Sequence, residues 1–335
     1  MAKVNFSTYS GNLANAWAAV KADGGTIVMD EQSRTFTGAT VNLYPDSPRQ
    51  VPLIIQGDGS SRIELNKGGS NYGFNTGNLT GACYRDLVIH GVFGSGTPDC
   101  AAAITADYTN SLMVEDCYLC GLGVSATVVR VGASTWGHIK NCQMGGNTGP
   151  SCIKLDGGRG LLVENCTFYD YQTMANVYHS KTPSGVGSWI DCVSPTNGDG
   201  ASANAIIVRD SQLDEGAGNG ISVNGYKTFT SERNRFNVNN SGAGRGIYLT
   251  NVGDARIIQD HFGYATGDRP AIKLVNSKAR VDGITVDHGV TRIEVDATSV
   301  LDIVNSPGVV VDAAAGSTVT VDGIRRKNGI VQIGR

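Results

Sequence analysis

A short phrase recurs along the middle of this 335-residue chain at intervals of roughly 24 residues. Each copy begins with apolar residues, continues with an Asp or Asn and a small residue, and in most cases ends in a second short apolar stretch. Self-similarity at a period of about 20–50 residues is typical of a solenoid, in which one structural unit stacks on the next. The copies span residues 114–119, 139–144, 163–168, 190–192, 208–213 and 257–262.

The elements inside each repeat are too short for helices. They contain three to five residues, alternate apolar and polar positions, favour Val and Ile, and are separated by clusters of Gly, Asn, Asp and Ser. This pattern is typical of β-strands, and the period leaves room for two or three strands with their turns. We assign many of the 45 glycines to the corners between strands. The sequence therefore predicts a parallel β-helix.

The eight cysteines agree better with stacked coils than with disulfide or metal chemistry. Cys117 and Cys120 form a C-x-x-C pair without a second pair at matching spacing, so zinc binding is not indicated. We predict that Cys117, Cys142, Cys166 and Cys192 are unpaired thiols that pack on one another inside consecutive coils. The Asp or Asn before each of them is predicted at a turn, where its side chain binds neighbouring backbone groups.

An amphipathic helix is predicted near the N-terminus. Its apolar face has the i, i+3, i+4, i+7 spacing and consists of Leu13, Ala16, Trp17 and Val20. The glycines at 24–25 are predicted to end this helix, and residues 26–29 are predicted to form a strand. A β-helix needs such a cover, because its first coil otherwise exposes an unpaired strand edge and an open core.

The helix, the Gly-Gly-Thr that follows, a strand and the segment Leu-Ile-Ile-Gln-Gly-Asp-Gly at 53–59 resemble the opening of pectin-lyase-like β-helices. This family includes phage tailspikes and polysaccharide lyases and hydrolases. The resemblance covers about residues 10–285. It implies an all-β fold, a single-stranded right-handed parallel β-helix with a short N-terminal capping α-helix. The expected parts are an N-terminal segment with the capping helix at 1–30, the β-helix at 31–288 and a C-terminal short-strand tail at 289–335.

The resemblance does not extend to the enzyme motifs of the family. Residues 188–192, Ser-Trp-Ile-Asp-Cys, are similar to a pectate lyase segment but lack the histidine that follows its Asp. The Arg-x-Pro-x-x-Arg element of pectate lyases is absent, as are the paired aspartates and the Gly-His-Gly motif of polygalacturonases. The resemblance therefore implies an architecture, and a fold alone does not transfer an activity.

The C-terminal tail has a shorter period than the rest of the chain. Alternating strands at 292–296, 300–304, 309–312 and 318–322 start eight or nine residues apart. One explanation is a homotrimer in which each subunit adds short strands to a shared prism, as the resemblance to tailspikes implies. The other is that these are ordinary strands of the last coils, three to a coil. In both cases the final coil must be covered.

Glycan cleavage needs two carboxylates at a suitable separation on the outer face of the coils. We call the small residues of the repeated phrase, Cys117, Cys142, Cys166, Cys192 and Ser211, the cysteine column. Counting four residues past Cys166 and Ser211 gives Asp170 and Glu215, with Asp214 as a neighbour. On this count Asp170 and Glu215 are two coils apart, which corresponds to about 9–10 Å. That distance lies near the upper end of the inverting range of about 6.5–9.5 Å. We therefore predict Asp170, Glu215 and Asp214 as catalytic residues.

The segment 168–181 is rich in aromatic residues and includes one of these acids. Exposed rings beside carboxylates are typical of sugar-binding grooves, because rings pack on the apolar faces of sugars and acids accept hydroxyl groups. We predict that Tyr171, Tyr178, His179 and Trp189 bind substrate. The alternative is that Tyr171 and Tyr178 pack against a neighbouring subunit or cover the edge of a coil.

These features favour a phage virion surface protein, tailspike- or fibre-like, that binds a bacterial surface polysaccharide and, in a stronger form of the hypothesis, cleaves it. Such a protein is made in the host cytoplasm and carried on the particle surface. Two alternatives stay open, a non-enzymatic virion structural or capsid decoration protein and a free polysaccharide lyase or glycoside hydrolase. The N-terminus has no apolar leader of the kind a secreted lyase carries. The predicted partners are the polysaccharide, other virion proteins and, as a homotrimer, further copies of the chain.

Several classes of function are not indicated. The net charge is −3 and no basic stripe is present, so nucleic-acid binding is not predicted. No apolar run approaches the ~20 residues of a membrane helix, so membrane insertion is not predicted. Neither a cofactor nor a metal site is expected.

Overall fold

A computed structural model describes residues 1–46, 51–92, 99–145, 149–169, 188–194, 205–214, 218–237, 245–263, 270–286 and 292–334. These residues fold as a parallel β-helix with one short α-helix, which confirms the predicted fold class. The chain divides into two compact units. The N-terminal unit contains residues 1–162, and the C-terminal unit contains 163–169 and the described residues from 188 onward. The predicted boundaries at residues 30 and 288 stay predictions.

The N-terminal unit consists of short strands, one 3-10 helix and one α-helix. In chain order they are β1 (Ala2–Asn5), the 3-10 helix (Ser7–Tyr9), α1 (Leu13–Val20), β2 (Gly25–Val28), β3 (Ser33–Thr37), β4 (Val41–Leu43), β5 (Pro52–Gln56), β6 (Arg62–Asn66), β7 (Phe74–Gly77), β8 (Gly81–Arg85), β9 (Val88–Gly91), β10 (Cys100–Asp107), β11 (Ser111–Glu115), β12 (Tyr118–Cys120), β13 (Val124–Val131), β14 (Trp136–Lys140), β15 (Gln143–Gly145) and β16 (Ser151–Asp156).

Each strand from β2 to β13 pairs in parallel with the strand three places further along the chain. Three strands therefore make one coil, and the coils stack into three sheets. Sheet 1 contains β1, β2, β5, β8, β11 and β14. Sheet 2 contains β3, β6, β9, β12 and β15, and sheet 3 contains β4, β7, β10, β13 and β16. Alternate residues of each strand face the core; in β11, for example, Leu112 and Val114 are fully buried.

The turns between sheets 1 and 2 explain the repeated phrase. Asp116 and Asn141 have positive φ angles of 52° and 53°, a conformation that Asn and Asp adopt more readily than most residues. The residue after each turn returns to the core, where Cys117 and Cys142 are 3 % and 1 % exposed. The backbone N–H of Gln143 donates to the carbonyl of Cys117 at 3.0 Å. Cys117 and Cys142 are thus buried at equivalent positions of consecutive coils, and the direct packing of one thiol on the other stays a prediction.

The N-terminal cover is more extensive than predicted. Helix α1 buries the expected apolar face and is capped by the side chain of Asn12, which accepts the backbone N–H of Asn15. The helix ends at Val20, before the glycines, with Lys21 as its C-cap. Gly24 has a positive φ of 76° and leads directly into β2. A Cβ at Gly24 would lie 2.4 Å from the carbonyl oxygen of Pro52. The sequence did not indicate β1, which pairs in parallel with β2 and extends sheet 1.

The C-terminal unit repeats the same plan. Its strands are β17 (Gly160–Glu164), whose first three residues belong to the N-terminal unit, β18 (Thr167–Tyr169), β19 (Ser188–Val193), β20 (Ala205–Arg209), β21 (Gln212–Asp214), β22 (Asn219–Asn224), β23 (Thr228–Glu232), β24 (Arg235–Asn237), β25 (Ile247–Thr250), β26 (Asp254–Ile258), β27 (His261–Phe262), β28 (Ile272–Val275), β29 (Lys278–Asp282), β30 (Thr285–Val286), β31 (Arg292–Val295), β32 (Val300–Val304), β33 (Val310–Ala313), β34 (Thr318–Val321), β35 (Ile324–Arg326) and β36 (Gly329–Gln332).

The strands of this unit again lie in three rows, which we label sheets 4, 5 and 6. Sheet 4 contains β17, β20, β23, β26, β29, β32, β34 and β35; sheet 5 contains β18, β21, β24, β27 and β30; sheet 6 contains β19, β22, β25, β28, β31, β33 and β36. After β30 a coil has only two strands, since β31 pairs with β33 and β32 with β34. The short period of the tail therefore reflects two strands to a coil, and the expectation of three was wrong. At the C-terminal end β35 pairs antiparallel with β34, and β36 pairs antiparallel with β33.

One part of the predicted cysteine column is wrong. Cys192 lies inside strand β19 and is in register with Val223 of sheet 6, so neither it nor Asp191 is at a turn. The residue that follows Cys166 in the column is Ser211, whose Oγ accepts the backbone N–H of Cys166 at 3.1 Å. These two positions are 45 residues apart, and the sequence prediction counted this long coil as two.

All eight cysteines are among the described residues; none forms a disulfide, and seven of them are buried. No helix among the described residues is both long enough and apolar enough to cross a membrane.

Candidate functional site

Most of the predicted site residues lie outside the described residues. These are Asp170, Glu215, Tyr171, Tyr178 and His179. The strands that precede the two acids are described, and β18 and β21 are direct neighbours, with Thr167 in register with Gln212. The count that separated Asp170 and Glu215 by two coils is therefore wrong, and the distance derived from it no longer holds. The catalytic and binding roles themselves stay predictions.

Asp214 and Trp189 are the predicted site residues that the structure describes. Asp214 ends β21 in register with Asn237, and its Oδ2 accepts a hydrogen bond from the Nε2 of Gln212. Its Oδ1 is buried without a hydrogen-bond partner among the described residues. Trp189 is 6 % exposed and packs on the ring of Phe168, with 6.0 Å between the ring centroids. Its role in binding substrate stays a prediction.

The outer face of sheet 3 carries a polar cluster that the sequence prediction did not identify. The registers of β4, β7, β10, β13 and β16 place one outward residue of each strand in a column that runs across the coils. This column consists of Asn42, Asn75, Thr105, Arg130 and Lys154. Two residues further along lies a second column, which contains Gly77, Asp107 and Asp156 together with Gly132, the residue directly after β13. The backbone N–H of Gly132 donates to the carbonyl of Ala106 at 2.8 Å.

Arg130 joins two aspartates of the second column. Its Nη1 donates to Asp107 Oδ2 at 2.8 Å, and its Nε and Nη2 donate to Asp156 Oδ2 at 3.2 and 3.1 Å. Asp107 and Asp156 are two coils apart, so their backbones are separated by about 9–10 Å. Because both carboxylates bind one guanidinium group, they approach each other more closely than their backbones do.

The two aspartates differ in what remains accessible. Asp107 Oδ1 accepts the backbone N–H of Ala133 at 3.1 Å, so both oxygens of Asp107 are hydrogen-bonded. Asp156 Oδ1 has no hydrogen-bond partner among the described residues, and this side chain is 45 % exposed. Asp156 is therefore the carboxylate that offers a free oxygen to a ligand.

Arg130 is a permanent cation at the centre of this arrangement. Burial lowers the pKa of its guanidinium, but the charge of Asp107 and the hydrogen bonds to Asp107 and Asp156 outweigh that effect. The pKa of Arg130 therefore lies above its ordinary value. The ammonium group of Lys154 belongs to the neighbouring strand and is in register with Arg130, so the face presents cations and carboxylates side by side.

Tyr44 adds an aromatic surface to the cluster. Its ring lies over Gly77, where a Cβ would come within 2.7 Å of Tyr44 Cε1. The Nδ2 of Asn75 donates to Tyr44 Oη at 2.9 Å, and the Nε1 of Trp17 donates to the Tyr44 carbonyl at 2.9 Å. These hydrogen bonds fix both the hydroxyl group and the backbone of Tyr44, which is 40 % exposed. Tyr108, which directly follows Asp107, is 60 % exposed.

We call this group, Tyr44, Asn75, Asp107, Arg130 and Asp156, the Arg130 cluster. It combines hydrogen-bond donors, carboxylate acceptors and an exposed ring on one face, which suits a ligand rich in hydroxyl groups. Within the described residues, no group of three or more His, Cys, Asp or Glu side chains is arranged to hold a metal ion.

The spacing of the charged residues is the signal that could have revealed the cluster. Asp107 and Arg130 are 23 residues apart, and Arg130 and Asp156 are 26 apart, which is one repeat in each case. The prediction followed the cysteine column instead. The sequence therefore favoured residues that follow sheets 2 and 5, and it placed Lys154, Asp156 and Arg159 in a turn among the weaker candidates.

Comparisons with known proteins support the fold. No family model matches the chain, and no curated protein matches it. Among solved structures, the chain is similar to the catalytic unit of a thermostable GH87 alpha-1,3-glucanase from Streptomyces thermodiastaticus, with a TM-score of 0.54 and 13 % sequence identity. The match covers 92 % of this chain and 63 % of the glucanase chain, so this chain spans less than two thirds of that structure. At this level of identity the likeness shows the parallel β-helix fold alone.

Proposed function

We propose that this protein binds a polysaccharide at the Arg130 cluster and cleaves it there. The observation that carries the proposal is the pair of carboxylates, Asp107 and Asp156, that share the guanidinium of Arg130 beside the exposed ring of Tyr44. Carboxylates and guanidinium groups bind sugar hydroxyls, and an aromatic ring packs on the apolar face of a sugar. The similar fold of an alpha-1,3-glucanase supports a carbohydrate ligand.

In the proposed reaction Asp156 protonates the leaving glycosidic oxygen through its free oxygen, and Asp107 accepts the proton of the attacking water. The two aspartates are two coils apart, and inverting glycoside hydrolases hold their carboxyl groups about 6.5–9.5 Å apart. In such enzymes one carboxyl group protonates the leaving oxygen while the other activates a water molecule. The expected product therefore has the inverted anomeric configuration.

The site around Asp214 is a second candidate. A buried carboxylate oxygen without a hydrogen-bond partner is costly, and Asp214 Oδ1 is such a group among the described residues. A ligand hydroxyl that donates to this oxygen would remove the cost. This observation favours retaining Asp214 among the candidate catalytic residues.

For the biological setting we propose a phage virion surface protein, tailspike- or fibre-like, whose ligand is a bacterial surface polysaccharide and which contacts other virion proteins. The resemblance of the N-terminal coils to that family supports this setting. A homotrimer is part of the proposal, and the exposed Ile324 and Ile330 of β35 and β36, which are 58 % and 70 % exposed, support a contact between copies at this end. The alternative is a non-enzymatic virion structural or capsid decoration protein.

The test is to incubate the protein with capsular polysaccharide and lipopolysaccharide preparations and to measure both binding and the release of reducing ends. Asp156→Asn should abolish release and leave binding largely intact, whereas Tyr44→Ala should weaken binding. Asp322→Asn, which changes an exposed turn carboxylate, is the matched control and should change neither. Binding without release would support an adhesin. The absence of both across the panel would contradict the proposal and favour the structural alternative.

A further inference from the structure

A cleft on the outer face of sheet 4 contains a second group of charged side chains. Strands β26, β29 and β32 line it, and their registers place Arg256 beside Arg280 and Arg280 beside Asp302. The volume of the cleft is about 430 Å³, which falls within the range of about 300–1,000 Å³ for small-molecule sites. All the lining residues belong to the C-terminal unit.

The cations of this cleft are not hydrogen-bonded to carboxylates. Arg256 Nη2 lies 3.9 Å from Asp254 Oδ2, and Arg280 Nη1 lies 3.8 Å from Asp302 Oδ2, which is too long for a hydrogen bond. Lys278 has no carboxylate within 4.0 Å among the described residues. Three neighbouring side chains thus present unused N–H donors to the cleft.

Other arginines of the same unit behave differently. Arg209 binds Glu164 at 2.6 Å, and Arg233 binds Asp210 at 2.7 Å. Arg256 and Arg280, by contrast, occupy adjacent strands about 4.8 Å apart, and like charges directly opposite each other destabilise a sheet. A bound anion between them would remove this repulsion.

We propose that this cleft binds a small ligand that carries one carboxylate, which bridges Arg256 and Arg280. A carboxylate matches the planar fork of a guanidinium group and binds it through short, charge-assisted hydrogen bonds. Phosphate and sulfate esters are disfavoured, because three carboxylates also line the cleft and repel a larger negative charge. These are Asp254, Asp282 and Asp302.

The same carboxylates and the apolar part of the lining define the rest of the ligand. Ile258, Ala279 and Val300 also line the cleft, and Val300 is 37 % exposed. A ring with one apolar face and several hydroxyl groups satisfies both kinds of surface, since the hydroxyls donate to the aspartates. The required chemistry can come from a sugar acid or from a simple carboxylic acid. The inference concerns the C-terminal unit alone and does not depend on the Arg130 cluster.

The test is a ligand-observed NMR titration of the full chain at low ionic strength with D-glucuronate, D-glucose, acetate and sulfate. Glucuronate should show saturable binding and glucose none. Arg280→Gln should raise the dissociation constant for glucuronate about tenfold or more, the loss of about 1.4 kcal/mol or more. Acetate that binds with the same dependence on Arg280 would identify the carboxylate alone as sufficient, whereas glucuronate binding without acetate binding would identify a sugar acid.

Two control variants keep the outcome interpretable. Lys3→Gln removes one exposed positive charge from β1 and should leave glucuronate binding unchanged. Tyr44→Ala alters the Arg130 cluster and should also leave it unchanged, which separates this inference from the proposed function. Thermal unfolding of unliganded Arg280→Gln should show a stability equal to or above that of the unmodified protein, because the repulsion is gone. Glucuronate that fails to bind, binds the Arg280→Gln protein equally well, or binds more weakly than sulfate would overturn the assignment.

Discussion

The carboxylate of Asp107 occupies the space in which a side chain of residue 132 would lie. A Cβ built on Gly132 would be 1.8 Å from Asp107 Oδ1 and 3.0 Å from the carbonyl oxygen of Ala106. A glycine at this position therefore allows Asp107 to reach both Arg130 and the backbone of the next coil. The geometry of the Arg130 cluster depends on the absence of a side chain as much as on the charged groups.

Gly132→Ala should accordingly disrupt the cluster without removing any of its members. The added methyl group would displace Asp107 from Arg130, and forcing an extra methylene-sized group into a packed site costs about 1–3 kcal/mol. We expect polysaccharide binding to weaken and urea-induced unfolding to shift by that amount. Gly263→Ala is the matched control, because a Cβ there meets no atom closer than 3.6 Å. Equal effects of the two substitutions would contradict the role assigned to Gly132.

Replacing Arg130 should show that its shape matters as well as its charge. Arg130→Lys keeps the charge, but a single ammonium group cannot donate to Asp107 and Asp156 with the geometry of the guanidinium fork. Arg130→Gln leaves both carboxylates without a cation, and the loss of hydrogen bonds to charged groups costs about 1.5–3 kcal/mol. We expect Arg130→Lys to recover less than half of the stability lost in Arg130→Gln, measured by urea unfolding. Full recovery by lysine would show that the fork is not required.

The fold could be predicted from the sequence because one physical constraint repeats in every coil. A strand that faces the core must alternate apolar and polar residues, and the turn before Cys117 or Cys142 needs a residue that tolerates positive φ. These requirements leave a visible phrase. Where a coil is longer than the usual repeat, the sequence pattern no longer marks the turns. It therefore predicts a turn at Cys192, although this residue lies within β19.

The candidate site could not be predicted in the same way, because outward residues are not constrained by packing. Asp107, Arg130 and Asp156 meet only once the registers of β10, β13 and β16 are known. Their spacing is compatible with one column in the sequence, but so is the spacing of many solvated residues. Gly132 is the most informative residue of the site, because a glycine at this position leaves space for the carboxylate of Asp107. This relationship becomes evident only in three dimensions.

The burial of the thiols predicts slow reaction with a thiol reagent in the folded protein. Burial raises the pKa of Cys83 and of Cys120 to about 12, and the thiolate is the reactive form. We expect fewer than one equivalent of rapidly reacting thiol with Ellman's reagent at neutral pH and all eight after denaturation. Cys83 is only half-buried, so Cys83→Ser is the control for any slow reaction. Rapid reaction of several thiols without denaturant would contradict the stacked core.

Asp260 is a buried carboxyl group in the position that Cys and Ser occupy in other coils. It is fully buried, its Oδ1 accepts the backbone N–H of Asn234 at 2.7 Å, and Ser231 Oγ binds its Oδ2. Burial raises the pKa of Asp260 from 3.8 to about 7, against the opposing effect of these hydrogen bonds. The folded protein therefore keeps this proton up to about pH 7, whereas the unfolded chain releases it near pH 4.

Stability should consequently fall as the pH rises between those two values. The folded state binds more protons than the unfolded state in this window, so the free energy of unfolding decreases with pH and levels off above about pH 7. Asp260→Asn stays neutral, and its free energy of unfolding relative to the unmodified protein should rise from pH 5 to pH 8 by an amount on the order of a few kcal/mol. Urea unfolding at each pH measures this difference. In Asp254→Asn, which changes an exposed carboxylate, the difference should stay constant over the same range, and a constant difference for Asp260→Asn would refute the assignment.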